Sequence, residues 1–478
     1  MPFPLRKTKI VATIGPASES PQMLERLIRA GLNVARLNFS HGEFTEHAER
    51  IQRIRAAEQV VGRRVAIMAD LPGPKMRIGK IDPEPIQLQA GEPFTLTSDD
   101  VVGDSRRVSM SFERLPRVVT PGDRLFLNDG IVQLLVERIA GADVHCRVAV
   151  GGELRSRKGL NLPGIHLGMN AFTDQDRACL EFALAHGVDA VSQSFVETAD
   201  DLEAVRAAAT ATGKTPFLIA KIERAGALDH LDDILKAADG IMVARGDLGV
   251  EVPIEEMALL QKRLIAQASL VGKPVITATQ MLESMVSNRL PTRAEATDVA
   301  NAVLDGTDCL MLSGESAIGR YPEESVAMLA RIAAFTEAHR PPVRLDDLKA
   351  LSSPHRPTTA SEAIAAVVEH ALETVPCAAV FVPTRTGTTA RMISRFNPRV
   401  WIVALSPDPV VCQGLAFSYG VHPVELTEEP DRWSGFARQW LREHQVPGQV
   451  AVLVAGPSSR HPEANHRLEF LRIDDNAR

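Results

Sequence analysis

Short β-rich apolar runs recur along the first two thirds of the chain, at residues 9–13, 33–37, 65–69, 189–193, 217–221, 240–244, 274–278 and 309–313. Most are separated by stretches such as PQMLERLIRAGL and EEMALLQKRLIAQASLVG, whose apolar residues repeat at helical spacing. Eight strands alternating with helices predict an α/β fold, a parallel (β/α)8 TIM barrel, with a doubly wound open sheet as the competitor. The strand ends favour the barrel. Nearly every run finishes in polar residues (Thr13; Arg36 and Asn38; Asp70; Ser194; Lys221 and Glu223; Arg245 and Asp247; Thr279; Ser313 and Glu315), and a barrel gathers those ends at one mouth.

About a hundred residues between the third and fourth runs have a different texture. PGDRLFLNDGIVQLLVERIAGADVHCRVAVGG reads as β-hairpins turned at Pro-Gly-Asp, Asp129-Gly130 and a further glycine. A crossover needs far less chain, so residues 71–168 are expected to form an inserted all-β lid over the mouth. The barrel then comprises 1–70 and 169–340, and the Pro- and Ser-rich stretch 341–357 is a linker. Residues 358–478 are expected to form a C-terminal α/β domain, opening with the helix SEAIAAVVEHALET under a Ser cap.

Composition narrows the class. The 478 residues are 45% hydrophobic and 24% charged, the profile of a folded globular chain. A net charge of −7 with only 4% aromatics gives no support for nucleic acid or anionic membrane as partner. No apolar run is long enough to span a bilayer, and the start does not read as a signal peptide. Five scattered cysteines, with no CxxC pair, fit a reducing, cytoplasmic setting.

The chemistry concentrates at the predicted mouth. Strand alternation puts Lys221 and Glu223 on one face, and Asp247 follows the next strand. Two carboxylates with no His or Cys nearby suit a hard cation such as Mg²⁺. A lysine beside that ion can neutralise a phosphoryl group in transfer, though a structural ion pair is the alternative for any one residue. A Schiff-base role for Lys221 is disfavoured, because the flanking carboxylates hold it protonated. VARLNFSHG supplies Arg36, Asn38, Ser40 and His41, either as anion and cation ligands or as a polar helix start. ADLPGPKMRIG adds Asp70 and Arg77 where the chain leaves the barrel.

Other signals are weaker. Gly213-Lys214-Thr215 lacks the first glycine of a phosphate-binding loop, since position 208 is Ala. Arg245-Gly246-Asp247 matches an adhesion tripeptide by letters only. His47, His186 and His370 show no metal spacing and are expected at the surface. In the last domain Thr384, Arg385, Thr386, Gly387, Thr388 and Thr389 lie between a strand and a helix, as a phosphate cradle or simply a capped turn.

NVARLNFSHG, the Asp70-to-Arg77 spacing, RKGLNLPG, AKIERAGAL, IMVARGDLGVEVP, ITATQMLESM and DCLMLSGESAIGRYP together resemble the pyruvate kinase family, in that family's order and over nearly the whole chain. The resemblance implies barrel, lid and C-terminal domains, and phosphoryl transfer from phosphoenolpyruvate to ADP giving pyruvate and ATP. It implies that Glu223 and Asp247 hold Mg²⁺ or Mn²⁺, that Lys221 stabilises the transferring group and that Arg36 contacts the substrate phosphate. Gly246, Asp247 and Thr279 would receive the substrate carboxylate, and Thr279, with Ser313 and Glu315, would serve enolate protonation. Thr13, Pro16, Asn38, His41, Arg77 and Lys158 would face the nucleotide. A phosphorylated sugar at Thr384–Thr389 and a homotetramer are further implications.

One departure is informative. Family members commonly carry a glutamate where this chain has Lys75, beside a K⁺ ion whose ligands map to Asn38, Ser40, Asp70 and the Leu71 carbonyl. Lys75 is expected to replace that ion, leaving activity independent of K⁺. On chemistry alone, a Mg²⁺-dependent lyase or aldolase and a non-catalytic sugar-phosphate sensor compete. The first has no use for the lid or Lys158, and the second predicts losses at Lys221, Glu223, Asp247 or Thr279, all of which are intact.

Overall fold

A computed structural model of the chain describes residues 3–4, 6–165, 168–341, 343, 359–456 and 466–473. Nearly all of the expected linker 341–357 therefore lies outside the described residues.

Eight parallel strands close into a barrel: Lys9–Thr13, Val34–Asn38, Ala66–Asp70, Ala190–Gln193, Phe217–Ile222, Gly240–Ala244, Val275–Ala278 and Cys309–Leu312. They neighbour one another in chain order, the arrangement the alternating pattern predicted. Both faces of each strand are buried, which is why the runs are continuously apolar and alternate only at their polar ends. The register brings those ends level. Thr13 pairs with Arg36, Asn38 with Asp70, and Ser192 with Asp70.

Between the third and fourth barrel strands the chain forms a six-stranded sheet whose order runs 160–161, 124–127, 132–140, 143–150, 93–97, 107–109. A two-stranded ribbon, Ile86–Leu88 with Gly152–Leu154, stands beside it. The three expected hairpin strands are among these. Their apolar core, including Phe94, Leu125, Leu134 and Val144, is separate from that of the barrel. A methyl group at Gly130, in a hairpin turn, would touch Val250 beside the barrel mouth at 3.6 Å.

Strands Val421–Glu425, Trp401–Ser406, Ala379–Pro383 and Val450–Ala455 form a parallel C-terminal sheet, edged by the antiparallel Arg467–Arg472. The helix that opens this region is Ala360–Thr374, and its cap is Thr359, whose hydroxyl accepts from Glu362 N; the expected Ser361 cap lies inside the helix. This region closes the barrel's lower end. Phe417 enters the barrel interior and stacks on Phe217 with ring centres 5.1 Å apart. Tyr419 N donates to Asp308, and Lys9 Nζ donates to the Val421 carbonyl at 2.6 Å. The five cysteines are unpaired, and among the described residues no helix is long and apolar enough to cross a membrane.

Candidate active site

The barrel mouth opposite that seam carries a buried charge cluster. Asp70, at the end of the third strand, is 1% exposed. Its Oδ2 accepts from Arg36 Nε at 2.8 Å and Nη2 at 2.5 Å, and its Oδ1 accepts from the Ser192 hydroxyl at 2.7 Å. The Lys221 ammonium stands 3.4 Å from Asp70 Oδ1 and 2.7 Å from Glu223 Oε1. It also donates to Ser194 Oγ at 2.7 Å, and that hydroxyl donates onward to the Leu71 carbonyl at 2.7 Å. Glu223 Oε2 accepts from Phe195 N at 2.7 Å. Lys221 and Glu223 meet because two-residue alternation turns both inward from one strand.

Burial works against every charge here, so the neighbours decide each one. Burial alone would raise the Asp70 pKa, but Lys221 and Arg36 outweigh it and hold the carboxyl well below the usual range. Burial would lower Lys221, but Asp70 and Glu223 outweigh it and push the ammonium pKa up. This fixed positive charge fits the expected electrostatic role and disfavours a Schiff-base one. Glu223 goes the other way. Burial raises its pKa, Lys221 opposes that, and the nearby Asp247 adds to the rise. Two carboxylates sharing too little positive charge make a place where a divalent cation fits. Among the described residues no group of three or more His, Cys, Asp or Glu converges as a metal cage. Paired carboxylate oxygens of this kind suit Mg²⁺, which is commonly held by one or two carboxylates together with substrate oxygens and water.

Asp247 lies in the short helix Arg245–Glu251 that follows the sixth strand. Gly246 N donates to Thr279 Oγ1 at 2.8 Å, and that hydroxyl donates to the Ala278 carbonyl at 2.7 Å. Thr279 and Gln280 both have left-handed backbones, with φ of 68° and 54°.

The other expected site residues fall into distinct groups. Lys75 is exposed over the residue as a whole, but its ammonium end is largely enclosed within electrostatic reach of Lys221, Asp70, Glu223 and Asp247; that enclosure and the like charge of Lys221 lower its pKa, while the three carboxylates oppose. His41 has a lowered pKa from partial enclosure and from Lys75, Arg77 and Arg36, so these four share one electropositive rim. Arg77 and Lys158 sit on the paired stalks of the inserted domain, where Arg77 bridges Gly159 and Ile78 N donates to the Lys158 carbonyl at 2.9 Å. Asn38 Oδ1 accepts from Ser40 N at 3.1 Å, and Pro16 is exposed.

Thr13 is buried, and its hydroxyl accepts from Arg36 Nη1 and donates to the Leu312 carbonyl. Its contacts seat Arg36. Glu315 is fully buried, and its two oxygens accept from Ser313 N and Leu282 N, so it braces the loops after the seventh and eighth strands. His47, expected at the surface, is 1% exposed. It stacks on Phe39 at 4.2 Å and its Nε2 lies 2.9 Å from the His41 carbonyl. His186 and His370 are exposed as expected. The Thr384–Thr389 loop lies far along the chain, in the C-terminal region. Thr384 Oγ1 accepts from Gly387 N at 2.9 Å, and Arg391 donates to the Thr386 carbonyl.

Ser192 and the bracing role of Ser194 escaped the sequence reading, because DAVSQSF offers only small polar residues. Arg245 was also unassigned. Its guanidinium donates to the Thr279 carbonyl at 2.7 Å and pairs with Asp298 at 2.7 Å.

A parallel barrel with fixed cations and paired carboxylates at its mouth, overhung by a β-rich insertion, defines an enzyme that handles a compact anionic substrate. The known proteins agree. Residues 5–326 match the family model of the pyruvate kinase barrel domain, and residues 362–466 that of the pyruvate kinase alpha/beta domain. A pyruvate kinase of Thermococcus litoralis is 48% identical over 90% of each chain. A pyruvate kinase 2 of Synechocystis sp. is 45% identical over 95% of this chain and 77% of its own. A crystal structure of a pyruvate kinase from Cryptosporidium parvum superposes with a TM-score of 0.89 at 34% identity, covering 98% of this chain and 97% of that one. The chain belongs to the pyruvate kinase family. It is a phosphotransferase that converts phosphoenolpyruvate and ADP to pyruvate and ATP.

Proposed function

We propose that the transfer depends on Mg²⁺ or Mn²⁺ held by Glu223 and Asp247, proceeds without K⁺, and takes place under the 71–168 insertion acting as a lid. The contact that carries this reading is Lys221 Nζ at 2.7 Å from Glu223 Oε1, with Asp247 adding the second carboxylate. When bound, the divalent ion supplies charge neutralisation at the substrate's carboxylate and phosphoryl oxygens.

The residues of the chain do the rest. Arg36, oriented by Asp70 and Thr13, holds the substrate phosphate. Lys221, kept charged by Asp70 and Glu223, stabilises the phosphoryl group as its bond to the enol oxygen breaks and its bond to the ADP oxygen forms. His41, Arg77 and Lys158, with Asn38 and Pro16 alongside, receive the nucleotide, and lid closure brings Arg77 and Lys158 onto it. Gly246, Asp247 and Thr279 receive the carboxylate. The enolate left behind takes a proton at its methylene carbon on the Thr279 side, where Ser313 and Glu315 support the loops.

Lys75 takes the place of the monovalent cation. Its ammonium lies within electrostatic reach of Asp70, an expected ion ligand, and of Glu223 and Asp247, and the Leu71 carbonyl, another expected ion ligand, already accepts from Ser194. The Thr384–Thr389 loop receives a phosphorylated sugar as activator, and the protein works as a cytoplasmic homotetramer. ATP formation from phosphoenolpyruvate and ADP with Mg²⁺ in K⁺-free buffer tests the core of this reading. Full activity there supports it. Rescue only by added K⁺ removes the Lys75 claim alone, and silence in both buffers removes the whole.

A further inference from the structure

Thr279 is a β-branched residue with φ of 68°, followed by Gln280 at 54°. Two successive side-chain-bearing residues in the left-handed region persist only where their surroundings over-determine them. The bend is gripped from one side by Arg245. Its Nη2 donates to the Thr279 carbonyl at 2.7 Å and its Nε to the Ala278 carbonyl at 3.3 Å, so one guanidinium spans the peptide at the start of the bend. Arg245 is in turn aimed from behind. Its Nη1 stands 2.8 Å from Asp298 Oδ1 and 2.7 Å from Oδ2, and 3.3 Å from Gln261 Oε1. A planar guanidinium gripped at two edges has one orientation, which a lysine could not copy.

Asp298 lies on the helix Arg293–Leu304, on the far side of Arg245 from Thr279. It bonds Arg245 rather than any residue given a role toward substrate. The chain of contact is therefore Asp298 to Arg245 to the Thr279 carbonyl, and from the Thr279 hydroxyl to Gly246 N.

We propose that Arg245, anchored by Asp298, is the positioning residue that holds Thr279 in its left-handed conformation and so sets the rate of enolate protonation. This rests on the reading that Thr279 serves the protonation step. Asp298→Asn keeps the shape of the anchor and removes its charge. Its expected effect is a roughly five- to tenfold fall in kcat, because a misplaced group loses rate steeply with small displacement. KM for phosphoenolpyruvate changes about twofold or less, since the anchor acts on one step rather than on uniform binding.

The test follows two readouts in the intact enzyme. One is steady-state kinetics; the other is loss of pyruvate's methyl protons to D2O with Mg²⁺ and ATP present, read by NMR. The proposal expects Asp298→Asn and Arg245→Lys to slow both in parallel, Asp298→Glu to restore most of the loss, and thermal midpoints to stay close to the parent. Wild-type proton loss in both Asp298→Asn and Arg245→Lys overturns it. So does failure of Asp298→Glu to restore a rate that Asp298→Asn has lost, because that pattern marks a merely structural contact. Thr279→Val separates the two layers. If it retains full proton loss, the reading of Thr279 itself falls; if it loses it while the Asp298 and Arg245 variants stay normal, only the positioning claim falls.

Discussion

Lys221 and Glu223 share one strand face, and their charged ends stand 2.7 Å apart at the floor of the barrel mouth. The same ammonium is 3.4 Å from Asp70 Oδ1. It is the cation held between two buried carboxylates. Lys221→Met leaves Asp70 with Arg36 but strips Glu223 of its ion-pair partner. The expected cost is about 3–5 kcal/mol of stability, the range for breaking a buried pair from one side. Turnover falls by about 10²–10³ as a preorganised charge is lost. Thermal unfolding checks the first figure, and Mg²⁺ should raise the variant's midpoint more than the parent's.

Lys75→Glu should convert the enzyme to one that needs a monovalent cation. In K⁺-free buffer its turnover is expected to fall about tenfold or more, since a fixed positive charge near the transferring group is replaced by a negative one. Added K⁺ should restore much of it while leaving the parent unchanged. A variant equally active with and without K⁺ would show that Lys75 plays no such part.

Lys9 provides a pH signature at the opposite end of the barrel. Burial, reinforced by Arg6, lowers its pKa to about 7 from the ordinary lysine value of 10.5, against the pull of Cys309, Glu337 and Asp308. A depressed folded-state value means that the unfolded chain binds the proton more tightly between these two limits. The neutral amine's contribution is whole above about 10.5 and is lost as pH falls through about 7. Relative to Lys9→Met, the parent should gain stability steadily as pH rises across that window. Unfolding midpoints of the two proteins at pH 6, 7.5 and 9 read this directly; parallel curves would contradict it.

Gly73→Ala should weaken both fold and catalysis. Gly73 has φ of +64°, and an added Cβ would stand 2.9 Å from Ser194 Cβ and from the Phe195 ring. A side chain there is strained in backbone and crowded at once, for an expected loss of about 2 kcal/mol. Because Ser194 Oγ also accepts from Lys221, a severalfold fall in kcat should accompany the fall in melting temperature.

The pattern of residues made the barrel legible because each strand carried its own evidence: an apolar run, then a polar end. Lys221 and Glu223 were legible for the same reason, as alternation is a local property. The three hairpin strands of the insertion announced themselves through turn residues. What escaped depended on partners far away in the chain. Ser194 matters because it reaches Leu71, 123 residues earlier, and Arg245 because it meets Asp298, 53 residues later. Glu315 looks like a mouth carboxylate by position, yet two backbone N–H groups occupy it. His47 sits in a charged, helical run, and only the stack on Phe39 places it inside. The last strand, RLEFLR, has one buried residue in six and so gives no clear alternation.

The two stalks of the inserted domain are held by the barrel itself. On the way out, Leu71 O accepts from Ser194 and Gly73 N donates to Asp176; on the way back, Ala171 lies between Asp201 and Gln193. The insertion is thus a plug seated in a socket whose pins are the end of the fourth barrel strand, at Gln193 and Ser194, and the two helices that flank that strand, at Asp176 and Asp201. Beyond the stalks the insertion has an apolar core of its own, so a change there acts first within that core. A change at the pins themselves would be felt at once, because the pin at Ser194 is also a contact of Lys221.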